Sequence, residues 1–287
     1  MRQKFDAPAP LVLWHLASFD APTVAVVWSL AFAWAAGVRL PIRAPLLLAL
    51  AAWSVYIGDR LLDARSGLRA PDLHQLRERH FYHWRHRHAL IPLAVAAALA
   101  ALGIVLAFMP LRARTPDSLL AAAALAYFSG VHSRRKLPRL VTKEFLVGAI
   151  FTAGCALPAW LCMRGRCAQS WPLFVPAIYF AALAWLNCHS IARWESGSEH
   201  PRGTGVQPLG AALALAGFFL AAAVFAAHPR TAALLAAGAL SALLLALLDR
   251  MQGRLVPLAL RALADLVLLT PLFLLPANFE LLKRFLA

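Results

Sequence analysis

Long apolar runs broken by short polar stretches set the pattern of this chain. Nine runs of roughly 20 residues are each long enough to cross a bilayer as a helix. They fall at 13–37, 44–63, 89–109, 116–132, 140–163, 171–189, 206–227, 231–248 and 256–279. Between the second and third lies a polar connection, 64–88, and the other connections are short. Pro41, Pro110, Pro138, Pro201 and Pro229 sit in or beside the connections, where a missing N–H costs little. The pattern predicts an all-α integral membrane protein. Its form is a single domain, 1–287, a bundle of about nine transmembrane helices around a central cavity.

Composition agrees. Of 287 residues, 61% are hydrophobic and 14% charged, against about a quarter charged in soluble domains. Mean hydropathy is +0.67. The net charge of +15 is carried mostly by arginines in the connections, where it sets topology and attracts anionic lipid head groups. No folded basic surface is left for nucleic acid, so that class of partner is excluded. Most of the 28 lysines and arginines fall on the side of the N-terminus, which predicts a cytoplasmic N-terminus. Arg2 and Lys4 precede an apolar run as in a signal peptide. That run contains Asp20 and Pro22 and no small-residue cleavage site, which predicts a retained first helix. The four cysteines form no C-x-x-C pair; only Cys162 and Cys167 are close enough in sequence to suggest a bridge.

Ionisable residues gather on the same side. Tyr56, Asp59, Arg60 and Asp63 end the second run, with the carboxylates four residues apart and so on one helical face. Two such carboxylates suit a hard cation such as Mg²⁺, with coordination positions left for phosphate oxygens; pairing with Arg60 and Arg65 accounts for them equally well. His132, Arg134, Arg135, Lys136, Arg139 and Lys143 form a cationic stretch able to grip a diphosphate or to anchor topology. Lys143 and Glu144 open the fifth run. Asn187, His189, Arg193 and Glu195 close the sixth, as oxygen and nitrogen ligands or as a solvated helix end. The His80–His88 run suggests metal or haem, but aromatic and basic residues beside a membrane helix are the usual interfacial belt. Within the apolar runs, Asp265 follows Arg261 by four residues, as an intrahelical ion pair would. Asp20 has no evident local partner.

These strings resemble the UbiA superfamily of intramembrane prenyltransferases. That family carries an Asn-Asp-x-x-Asp-x-x-x-Asp motif at the end of its second helix and a second Asp-rich motif at the end of its sixth. Asp59-Arg60-Leu-Leu-Asp63 fits the latter half of the first motif, and Asn187 and Glu195 fall where the second belongs. Tyr127 followed by Arg134, Arg135 and Lys136, and Lys143-Glu144-Phe-Leu-Val-Gly148, resemble the segments that complete the donor site. The resemblance implies a bacterial inner-membrane enzyme that ionises a polyprenyl diphosphate with Mg²⁺ and transfers the prenyl group to a lipophilic acceptor. Asp59, Asp63 and Lys143 would be catalytic; Arg60, Tyr127, Arg135, Lys136, Lys143 and Arg193 would bind diphosphate; Asp59, Asp63, Asn187 and Glu195 would hold metal. Val55-Tyr56 stands where the family has Asn-Asp, and the second motif here has no Asp. A UbiA-type terpene cyclase and a catalytically silent lipid- or ion-binding protein are the alternatives.

Overall fold

The computed structural model describes residues 8–69, 78–132, 143–163, 171–196 and 205–275. These are helical, with no β-strand among the described residues. In order the helices are α1 (Ala9–Leu16), α2 (Asp20–Ala35), α3 (Arg43–Arg69), α4 (Glu78–Arg85), α5 (Arg87–Phe108), α6 (Leu111–His132), α7 (Lys143–Met163), α8 (Trp171–Ser196), α9 (Val206–Val224), α10 (Pro229–Met251) and α11 (Pro257–Leu266). A 3₁₀ segment, Val267–Leu274, prolongs α11. Among them α3, α5, α7, α8, α9, α10 and α11 with its 3₁₀ extension are long and apolar enough to span a membrane, which makes seven spans. Counting the bent pair α1–α2 as one span makes eight.

The predicted first helix, 13–37, is two helices meeting at an 89° bend. The cause is local. Pro22 has no N–H for the carbonyl four residues back, and its ring crowds that carbonyl, which belongs to Ser18. Ser18 takes φ +58°, in the left-handed region, a conformation that costs a non-glycine residue on the order of 1 kcal/mol. Packing holds the bend: the Trp53 indole donates to the Ala17 carbonyl at 3.0 Å, and Phe19 stacks on Trp53. Elsewhere helices outrun their hydropathy. α3 continues to Arg69 and α8 to Ser196, so Arg193 and Glu195 are helical residues rather than loop residues. Part of the predicted polar loop is helix α4.

The core is centred on α2. Val24, Ala25, Trp28, Ala31 and Phe32 are fully or almost fully buried. They pack among α7, α8, α10 and the 3₁₀ segment. By contrast α5 presents Ile91, Leu93, Val95, Leu99, Leu102, Leu106 and Phe108 outward, an apolar face suited to lipid. Within lipid, helices associate by close packing of small residues. α9 and α10 show this at Gly217, where a Cβ would lie 2.5 Å from the Tyr179 hydroxyl and 2.8 Å from Ala239 Cβ. Tyr179 cannot retreat without losing its bond to the Leu213 carbonyl, 2.9 Å away. Gly217→Ala is therefore expected to destabilise by about 2 kcal/mol through overpacking. Gly103→Ala, with nothing within 4 Å of the new Cβ, should shift stability by less than about 1 kcal/mol, and upward. Thermal unfolding of the two variants in detergent checks the contrast.

Candidate functional site

Buried polar side chains from five helices meet at one end of the bundle. The last turn of α1 supplies His15 and the bend delivers Asp20, while α3 gives Tyr56 and Arg60, α8 gives Asn187, and α11 gives Asp265. His15, Asp20, Arg60, Asn187 and Asp265 are all less than a tenth exposed. His15 Nδ1 lies 2.7 Å from Asp20 Oδ2 and 3.5 Å from Asp265 Oδ2. The remaining carboxylate oxygens are each held by another group. The Ala21 N–H donates to Asp20 Oδ1 at 2.9 Å, and Asn187 Nδ2 donates to Asp265 Oδ1 at 3.1 Å. The Arg60 guanidinium stands 4.0 Å from Asp20 Oδ2 and lies over the Tyr56 ring, 5.0 Å from its centroid.

A second layer of charge adjoins the first. Glu195 Oε1 forms ion pairs with both Arg79 of α4, at 3.2 Å, and Arg261 of α11, at 2.8 Å. This corrects the expected Arg261–Asp265 pair: Arg261 turns to Glu195, and Asp265 to His15 and Asn187. Neither carboxylate needs its nearest basic residue in sequence once other helices bring partners into the same interior. Asp20, expected to lack a local partner, has His15 across the bend.

α4 closes over the bend through His83. Its Nδ1–H donates to the Arg79 carbonyl at 2.7 Å, and its Nε2 shares a hydrogen bond with the Ser18 hydroxyl at 3.1 Å. Burial, reinforced by the Arg60 cation, pushes His83 down to about 4. Burial and then the Arg79 cation do the same to His80. Both groups bind fewer protons folded than unfolded, so between about pH 6.5 and 4 stability rises with pH. The stability from docking α4 is whole above about pH 6.5 and is lost as pH falls toward 4. Amide exchange across Glu78–Arg85 should accelerate over that window in wild type, and much less in His80→Gln/His83→Gln.

The other predicted site residues lie beside these layers. Asp59 and Asp63 of α3 are partly buried. Tyr127 of α6 is within electrostatic reach of Asp59, Asp63, Glu144 and Cys188. Cys188 is within reach of Lys143, Glu144 and Asp265, and His189 within reach of Arg193 and Glu144. The C-terminal parts of α3, α6 and α8 thus gather with the start of α7. Arg60 turns inward to Asp20. Arg134, Arg135, Lys136, Arg139 and Cys167 lie outside the described residues, so the cationic stretch and a Cys162–Cys167 bridge fall there too. In the His80–His88 run, His80 and His83 are buried while His86 bonds the Tyr82 carbonyl. Sequence reasoning missed His15 and the joining of Asp20 with Asp265. The five-residue spacing of His15 and Asp20, just before the Pro22 break, was the available signal for the first. Nothing local announces a partner 245 positions further on.

The fold and this interior define an all-α integral membrane protein with a buried ionic centre at one end of its bundle. No family model, curated protein or solved structure matches the chain.

Proposed function

We propose that the protein is an intramembrane prenyltransferase of UbiA type, which binds an isoprenoid diphosphate at the ionic end of the bundle. Taking α6 as a further crossing beside the bent α1–α2 pair gives the nine-helix arrangement around a central cavity. The cytoplasmic N-terminus in a bacterial inner membrane belongs to the same reading. The observation that carries it is the gathering of Asp59, Asp63, Tyr127, Glu144 and Lys143, from α3, α6 and α7, at one end.

The chemistry follows from the residue types. Lys143 and Arg193, with Arg135 and Lys136 of the connecting segment, would bind the diphosphate as charge partners. The Tyr127 hydroxyl would donate to it. Asp59 and Asp63 would hold Mg²⁺, for which carboxylate oxygens on one helical face are the suitable donors. Mg²⁺, when bound, supplies the charge neutralisation that lets diphosphate leave. Glu195 does not fit as a further metal donor, because it sits against two guanidiniums, whereas Asn187 gives only its Nδ2 to Asp265 and keeps Oδ1 without a hydrogen-bond partner. The apolar interior excludes water, so an allylic cation would be captured by a lipophilic acceptor, or by its own double bond in a cyclase.

Purified protein in detergent, given prenyl diphosphates of several lengths with Mg²⁺, is expected to release diphosphate. Asp59→Ala/Asp63→Ala should lower the rate by about 100-fold or more, the scale of losing an electrostatic group at a reacting centre. Release no greater than that of the double variant rules out transfer and cyclisation together. The commitment of Glu195 to two guanidiniums favours a second reading, a silent protein that binds a lipid or ion. Its mark would be a thermal shift with a non-hydrolysable prenyl thiodiphosphate and no turnover.

A further inference from the structure

The geometry points to a site for a divalent first-row transition ion, of the zinc or manganese class, held by His15, Asp20 and Asp265. It is separate from the Asp59–Asp63 pair and does not depend on the prenyl-transfer reading. One ligand atom from each of the three residues falls within 4.8 Å of the others, and all three residues are buried, with the His15 and Asp20 side chains almost wholly so.

Two features favour an ion over a plain ion pair. The first is how the carboxylates are held. Each has Oδ1 fixed by a second group, Ala21 N–H or Asn187 Nδ2, and each turns Oδ2 to the same His15 nitrogen. Ligands oriented by outer hydrogen bonds toward a common point are the pattern of metal sites. Alignment is the second. His15 Nδ1 and Asp20 Oδ2 are 2.7 Å apart, yet neither is in hydrogen-bonding alignment. A single N–H proton could at best line up with one of the two oxygens, whereas an ion takes lone pairs from all three atoms. Charge admits either occupant. Two carboxylates at this depth need more than Arg60, 4.0 Å from Asp20 Oδ2, to offset them. A protonated His15 would balance the sum. A divalent ion leaves one surplus positive charge, which hydroxide or another anionic ligand would take in the position that three protein ligands leave open. The donor set selects the metal class. One imidazole and two carboxylates suit zinc, manganese or ferrous iron, the absence of thiolate or thioether disfavours Cu(I), and three donors are too few for Ca²⁺.

The test uses full-length protein in detergent, stripped with chelator and titrated with Zn²⁺, Mn²⁺ or Co²⁺. Wild type should bind one equivalent and show a tetrahedral or five-coordinate Co²⁺ visible spectrum. Asp20→Asn, Asp265→Asn and His15→Gln should each weaken binding by at least about 100-fold, beyond the 10–100-fold typical of outer-shell changes. Because these variants remove buried charge and could fail to fold, His15→Cys provides a gain of signal. Its Co²⁺ form should acquire a near-ultraviolet thiolate charge-transfer band that wild type lacks. A separate His80→Gln/His86→Gln/His88→Gln variant should bind Co²⁺ as wild type does. Wild type taking up no ion, a His15→Cys protein without the band, or binding lost only with the His80–His88 changes would each overturn the proposal.

Discussion

Glu195→Ala is expected to destabilise the protein by about 3 kcal/mol, the cost of leaving one side of a buried ion pair without its counter-charge. Arg261 is almost wholly buried, and Glu195 Oε1 stands 2.8 Å from its Nε. The same oxygen receives Arg79 from α4, so one carboxylate joins α8, α11 and the surface helix. Removing it leaves two guanidiniums close together in a poorly hydrated site, and they repel. Glu195→Gln should fall between, because the amide oxygen still accepts a bond but carries no charge. Unfolding in increasing SDS, followed by tryptophan fluorescence, measures the loss. Amide exchange should rise across Glu78–Arg85 in Glu195→Ala. A change in stability under about 0.5 kcal/mol, the usual range of surface substitutions, would remove Glu195 from this role.

Trp28→Ala should cost about 3–5 kcal/mol, the range for deleting a large aromatic from a packed core. Trp28 is 1% exposed. Its ring stacks on Phe180 with centroids 3.8 Å apart, and its indole N–H donates to the Leu268 carbonyl at 2.8 Å. That carbonyl belongs to the 3₁₀ segment, where its partner three residues on is Pro271, which has no N–H to donate. In a bilayer the loss is not chiefly one of water transfer, since lipid tails are as apolar as the core. It is the loss of dispersion contacts around the cavity left behind. Trp28→Phe separates the contributions. It keeps much of the stack and drops the Leu268 bond, so a smaller loss, of about 1 kcal/mol from the bond and more from the lost ring, is expected. Equal stability of Trp28→Ala and wild type in the SDS titration would show that α2 is not the centre of the core.

Trp28 and Glu195 differ in how far they could be read from the chain. The run holding Trp28 is apolar enough to place it within a membrane helix. Glu195 was placed at the end of the sixth run as a prospective metal ligand. The structure instead sets it two turns beyond Asn187 on a continuing helix, between two arginines. α8 outruns its apolar stretch because the last polar turns meet charged partners on α4 and α11 rather than water. The 3₁₀ turn after Leu266 was equally hidden. Pro271 denies a donor to the preceding turn, while Thr270 bonds the Ala237 carbonyl and Ser241, a contact with α10 that no local pattern encodes.

The sequence by itself determined the class of the protein and the positions of most of its spans. Hydropathy and charge bias are properties of contiguous residues, and a bilayer reads them segment by segment. Only the tertiary structure decided which polar groups meet: His15 with Asp20 and Asp265, Glu195 with Arg79 and Arg261, His83 with Ser18. A charge in an apolar interior is stable only beside a counter-charge or an ion. Which helix brings that partner is settled by how all the spans pack.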